Sequence, residues 1–122
     1  MLLFPKKPKF IKSFLNKKIT NNSIKKTNIF RFSKIGLVST SSGLLPNFQI
    51  ESIRLFLRRI LKKRAQIFFR VFPNQPITKK PSELRLGRGK GNFKYWSFYA
   101  QKGKLLVELT GQNIKLITLA MY

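Results

Sequence analysis

Twenty-six lysines and arginines face only three carboxylates, Glu51, Glu83 and Glu108, so any fold this chain adopts must carry a formal charge of +23 on 122 residues. Self-repulsion of that size opposes a compact state and calls for a polyanionic partner. The chain is also 43% hydrophobic and 13% aromatic, too rich in apolar groups for a basic tail that never folds. One domain is expected at this length, and a small domain buries a lower fraction of its surface than a large one. The partner should therefore add to its stability.

Several function classes drop out on residue types. The chain has no Cys and no His, which removes disulfides, thiolate metal sites and the commonest general base and metal ligand. Three scattered carboxylates offer little for acid–base chemistry, so neither an enzyme nor a cofactor or metal site is expected. No apolar run approaches the roughly 20 residues of a membrane-spanning helix, which leaves only peripheral membrane contact and no insertion.

Residues 1–34 contain two early prolines, paired lysines and an Asn-Asn-Ser cluster, with no sustained period. They read as an extended basic arm that reaches about 110 Å if fully drawn out, at roughly 3.3 Å per residue. A merely solvated tail is the alternative, but Phe10, Phe14, Phe30 and Phe32 interleave with the lysines as suits stacking on bases. The absence of acids in the first fifty residues also fits an organellar presequence. Abundant Lys, Ile, Phe and Asn with three Ala points to an A/T-rich genome such as an organelle's.

Residues 35–122 are expected to form a single α+β domain: an antiparallel sheet packed with one long and one short helix. After a Ser-rich turn at 39–43, a helix is predicted over 47–64, where Ile50, Ile53, Leu57, Ile60 and Leu61 form an apolar stripe. Arg54, Arg58 and Lys62 recur every fourth residue on another face. Glu51 near its start and Lys62, Lys63 and Arg64 near its end suit the helix dipole. A strand follows over 66–72, with Ile67, Phe69 and Val71 on one face and Arg70 on the other. Residues 94–101 and 104–110 are predicted to pair as a hairpin around Lys102 and Gly103, with a short final helix within 112–122.

Between the strands lies ITKKPSELRLGRGKGNFKYW, a basic loop with glycines at alternate positions 87, 89 and 91. Glycine permits positive φ and close approach of the backbone to a bulky partner, while Arg85, Arg88 and Lys90 present charge from a flexible stem. A surface loop with glycines for hairpin geometry is the plainer reading. It is not a P-loop, since GxxxxGK[ST] is absent, and a phosphate-handling enzyme using Lys90 and Glu83 lacks a nucleophile, base and metal ligands.

This loop resembles the large-subunit ribosomal protein L-sixteen family, bacterial and organellar type. The family pattern T-K-K-P-x-E-x-R-M-G-x-G-K-G followed by Y-W is matched by Thr78, Lys79, Lys80, Pro81, Glu83, Arg85, Gly87, Gly89, Lys90, Gly91, Tyr95 and Trp96, with Leu86 in place of Met. PKKPKFIKSF, QIESIR, IFFRVFP and KGKLLVEL resemble further family segments, so the likeness covers nearly the whole chain. The family carries a longer Ala-rich helix and a basic tail after its hairpin, and here the sequence stops at Tyr122.

The resemblance implies a structural constituent of the large ribosomal subunit, with large-subunit rRNA, tRNA and neighbouring ribosomal proteins as partners and no homo-oligomer. The implied rRNA-binding residues are Lys6, Lys7, Lys9, Lys12, Arg31, Lys34, Arg54, Arg58, Arg59, Lys62, Arg70, Lys79 and Lys80. The implied tRNA-proximal loop comprises Arg85, Gly87, Arg88, Gly89, Lys90 and Gly91, near the aminoacyl site and peptidyl transferase centre. Because the match begins close to Met1, a mitochondrial ribosome with organelle-encoded protein is expected, ahead of a plastid or a bacterial cytoplasm. The rival is a basic membrane-surface or presequence-bearing RNA-binding protein outside the ribosome.

Overall fold

The computed structural model describes residues 4–14, 30–33, 35–85, 87, 89–111 and 113–120. Its elements are β1 (Ile35–Val38), β2 (Gly43–Pro46), α1 (Asn47–Leu61), β3 (Ala65–Phe69), β4 (Gln75–Lys79), β5 (Asn92–Ala100), β6 (Leu105–Gly111) and α2 (Ile114–Leu119). Most of the expected arm, with Lys34, lies outside the described residues, as do Arg88 and the end of the predicted last helix.

The strands on either side of Lys102 and Gly103 do not form the expected hairpin. β5 is the centre of a sheet ordered β2-β5-β4, and β6 is the centre of another ordered β1-β6-β3, so the α+β body has two antiparallel sheets where one was expected. The reason lies in the partner segment. Ala100 pairs with Gly43 and Leu105 pairs with Val38, so 35–38 and 43–46 run antiparallel beside 105–109 and 97–100 in turn. Gly103 N donates to Ser39 O at 2.7 Å and Ser39 N to Lys104 O at 2.9 Å, which carries the ladder through the bend. Gly103, with φ of 79°, therefore makes a corner at which a two-stranded ribbon passes from one sheet to the other. The true neighbouring-strand hairpin is β4 with β5, and the basic loop closes it. Prolines at 73 and 76 obscure β4 in the sequence, but Pro76 sits opposite Trp96 on an edge strand, where a missing N–H is tolerated.

Helix α1 begins directly after Pro46, with no side-chain cap, and ends at Leu61, three residues short of the expected Arg64. Lys62 takes φ of 49°, its N–H returns to Arg58 O at 3.0 Å, and Ala65 already begins β3. Lys62, Lys63 and Arg64 thus lie beyond the last turn, whose basic residues are Arg58 and Arg59, and Glu51 falls just past the first turn. The stripe is as predicted: Ile50, Leu57 and Leu61 are buried, with Ile53 and Ile60 packed beside them. They meet Val107 and Leu109 of β6 and Ile117 of α2 in one core cluster, and burying each Leu or Ile contributes about 1.5–3 kcal/mol. α2 is capped by Asn113, whose side chain accepts from Leu116 N at 3.2 Å. No helix among the described residues is long and apolar enough to cross a membrane.

Candidate nucleic-acid interface

The fate of the three carboxylates decides which cations remain at the surface. Glu51 is engaged by Arg54 one turn later, with Nε 3.0 Å from both carboxylate oxygens and a second contact from Nη2. That hydrogen bond holds the Glu51 carboxyl below its usual value. Glu108 is completely buried, on the face of β6 opposite the core residues Val107 and Leu109. Its Oε2 accepts from three consecutive backbone amides, Arg31 at 3.1 Å, Phe32 at 2.8 Å and Ser33 at 3.2 Å. Its Oε1 lies 2.9 Å from Arg70 Nη1, as an ion pair without the alignment of a hydrogen bond. Burial pushes this carboxyl upward, but the amides of Phe32 and Arg31, with Arg70 and Ser33, outweigh it and leave the value lowered. Glu83 is exposed on the basic loop.

These contacts fasten residues 30–33 across one face of the β1-β6-β3 sheet. The Phe32 ring stacks on Phe68 at 4.5 Å and Arg70 lies 5.8 Å from the same ring. Gly36 makes room for Phe30: a Cβ there would stand 2.8 Å from the Phe30 ring and 2.7 Å from Val107 O. Sequence reasoning missed Glu108 as the clamp. Its one visible signal was a lone acid in the apolar run LLVEL of a strongly cationic chain.

Of the residues expected to bind rRNA, Arg54 and Arg70 are thus half-buried and paired with carboxylates. Arg58, Arg59 and Lys62 are exposed around the C-terminal end of α1, with no acidic partner among the described residues. That surface is less purely charged than the predicted second face, since Phe48, Leu55 and Phe56 are exposed on it and Phe48 packs edge-on against Tyr95 at 5.7 Å. Lys6, Lys7, Lys9 and Lys12 are exposed on residues 4–14, and Arg31 is exposed while its amide serves Glu108.

The loop between β4 and β5 leaves the sheet from the pair Lys79 and Asn92. Lys79 is exposed, whereas Lys80 is half-buried and its ammonium donates back to Gly87 O. Gly87 and Gly89 take φ of 98° and 78° with open space around them, a conformation in which a side chain is strained. Gly91 is needed for a different reason: a Cβ there would stand 2.6 to 2.7 Å from the backbone of Lys79 and Lys80. Arg85 is exposed near the tip. Lys90 turns inward to the arm, where its ammonium donates to Ser13 O and sits 4.2 Å from the centre of the Phe14 ring. The structure therefore brings arm residues 12–14 onto the loop, and holds the helix cations on a separate element.

Comparison with known proteins agrees with this chemistry. Residues 5–121 match the family model described as ribosomal protein L16p/L10e. The chain is 42% identical over 111 residues to the large ribosomal subunit protein uL16 of Blochmanniella pennsylvanica, covering 91% of this chain and 81% of the relative. It is 43% identical over 108 residues to that of Wigglesworthia glossinidia brevipalpis, covering 88% and 77%, and 40% identical over 119 residues to that of Buchnera aphidicola, covering 98% and 85%. With a motif-bearing loop, a cationic surface and relatives at this identity across nearly its whole length, the chain belongs to the ribosomal protein L16p/L10e family.

Proposed function

We propose that the chain is a structural, non-enzymatic constituent of the large ribosomal subunit that binds rRNA through two surfaces and presents its glycine loop to tRNA. The observation that carries this is the carboxylate geometry: two of three acids are consumed by Arg54 and by Arg70 with the arm amides, so the remaining cations are left to an external polyanion. Arg58, Arg59 and Lys62, with Lys79, Lys80 and the arm residues Lys6, Lys7, Lys9, Lys12, Arg31 and Lys34, neutralise rRNA phosphates. Such contacts fix register without reading sequence. Arg54 and Arg70 contribute by holding their carboxylates rather than by reaching phosphate. Arg85 and Arg88, on a stem with glycines at 87, 89 and 91, face the tRNA near the aminoacyl site, and neighbouring ribosomal proteins cover part of the remaining surface.

The test compares two variants for large-subunit occupancy and for peptide-synthesis rate per assembled ribosome. Arg58→Gln with Arg59→Gln should lower occupancy, because phosphate contacts are lost. Arg85→Gln with Arg88→Gln should incorporate and slow elongation. A loop variant that fails to incorporate yet translates normally per ribosome would make the loop an rRNA anchor and refute the tRNA role. A protein that stays with lipid vesicles through a high-salt wash would favour the membrane-surface rival.

The compartment proposed is the mitochondrial ribosome, on the strength of the A/T-biased residue usage. The bacterial relatives favour a second reading, a bacterial ribosome. Organelle fractionation followed by ribosome sedimentation separates the two.

A further inference from the structure

We infer that Phe14, held against the loop by Lys90, is a stacking site for an unpaired nucleobase, formed jointly by the arm and the glycine loop. The inference rests on the RNA-binding reading above and assigns a ligand to a part of the surface that reading leaves unassigned.

Phe14 is 87% exposed, an unusual cost for a phenyl ring in water unless another surface covers it. It is nevertheless held in place. The Lys90 ammonium sits 4.2 Å from the ring centre and also donates to Ser13 O, while Lys12 Nζ reaches back to Lys90 O at 3.5 Å. Three consecutive arm residues and one loop residue thus fix the ring's position with one side under the cation and the other open. A cation on one face and a flat π-surface on the other is a sequence-tolerant way to hold a base, and Arg or Lys beside the stack adds attraction. Lys12 stands beside the slot as a phosphate partner for the same nucleotide. Lys90, whose donors are already directed at Ser13 O and the ring, is a positioning residue rather than a phosphate ligand. The surrounding charge selects the occupant: among the described residues no carboxylate contacts this junction, and the chain carries +23 overall.

Binding of the full chain to a short single-stranded RNA is measured beside the same strand carrying abasic residues, which keep the phosphates and remove the π-faces. Phe14→Leu should weaken binding to the base-bearing strand by at least about fivefold and leave the abasic strand unaffected. Phe14→Tyr, which keeps a π-face, should restore the preference. In a Lys90→Met background the Phe14→Leu effect should shrink, because the ring is no longer held. Equal binding of both strands by the parent chain, or an equal loss on both with Phe14→Leu, overturns the stacking site while leaving RNA binding intact. If neither strand binds at all, the RNA-binding reading falls and the site falls with it.

Discussion

Replacing Arg58 and Arg59 by Gln tests whether the cations at the end of α1 are phosphate ligands or a solvated rim. Both are exposed and lack an acidic partner among the described residues, so each is free to displace a counterion from RNA. Every phosphate neutralised adds about 0.7–0.9 to the slope of log affinity against log salt, so the pair accounts for about 1.4–1.8. Between about 50 and 200 mM salt that difference changes the ratio of parent to variant affinity about tenfold, with the larger penalty at low salt. The control is Glu51→Gln with Arg54→Gln, which removes an internally satisfied pair from the same helix at constant net charge and should leave the slope where it was. Filter binding of the full chain to large-subunit rRNA across a salt series gives both slopes. An unchanged slope for the Arg58 and Arg59 variant, or an equal fall for the Glu51 and Arg54 control, would refute the reasoning.

Three further outcomes follow from the packing. Because the Glu108 carboxyl is lowered from 4.5, it stabilises the fold above that value and ceases to do so as pH falls through its lower folded value; amide exchange at 31–33 should accelerate in that acid window, and a Glu108→Gln variant should show fast exchange there at neutral pH as well. Leu61→Ala, at a position with no exposed surface, should cost about 2–5 kcal/mol in chemical unfolding, whereas a cost below about 1 kcal/mol would mean the core tolerates its loss. Gly91→Ala should destabilise by about 1–3 kcal/mol through its clash with the Lys79 and Lys80 backbone, while Gly87→Ala meets open space and should cost only about 1 kcal/mol of backbone strain, a ranking that thermal denaturation checks.

The helix and the loop were legible in the sequence because each is encoded locally. Ile50, Leu57 and Leu61 repeat at the helical period, and the alternate glycines announce their own backbone geometry. Of the strands, β3, β5 and β6 were legible, whereas β1, β2 and β4 and the division into two sheets were not, because those three are four or five residues long and β4 contains a proline. A Lys-Gly pair between two apolar strands reads equally as a hairpin or a corner, and only the long-range partner segment decides between them. The end of α1 was misplaced because Lys62 adopts a conformation for which no glycine advertised the stop. Glu108 went unread for a different reason: its partners are backbone amides of residues 31–33, whose identity as donors no side chain reveals.

The ribbon that joins the two sheets also sets the order in which the molecule can come into being. β1 pairs with β6, so Ile35 must wait for Leu109, roughly 75 residues later in synthesis, before its ladder can close. At roughly 5–20 residues per second that interval is roughly 4–15 s. No earlier strand can substitute, since β6 is the centre of its sheet and carries the carboxylate that fastens 30–33. Throughout that delay the carboxylate that fastens 31–33 has not been made, and the core that includes Val107 and Leu109 cannot close. Both the β1 ladder and the fastening of 30–33 thus hang on one late strand, and the body closes only once β6 has been made.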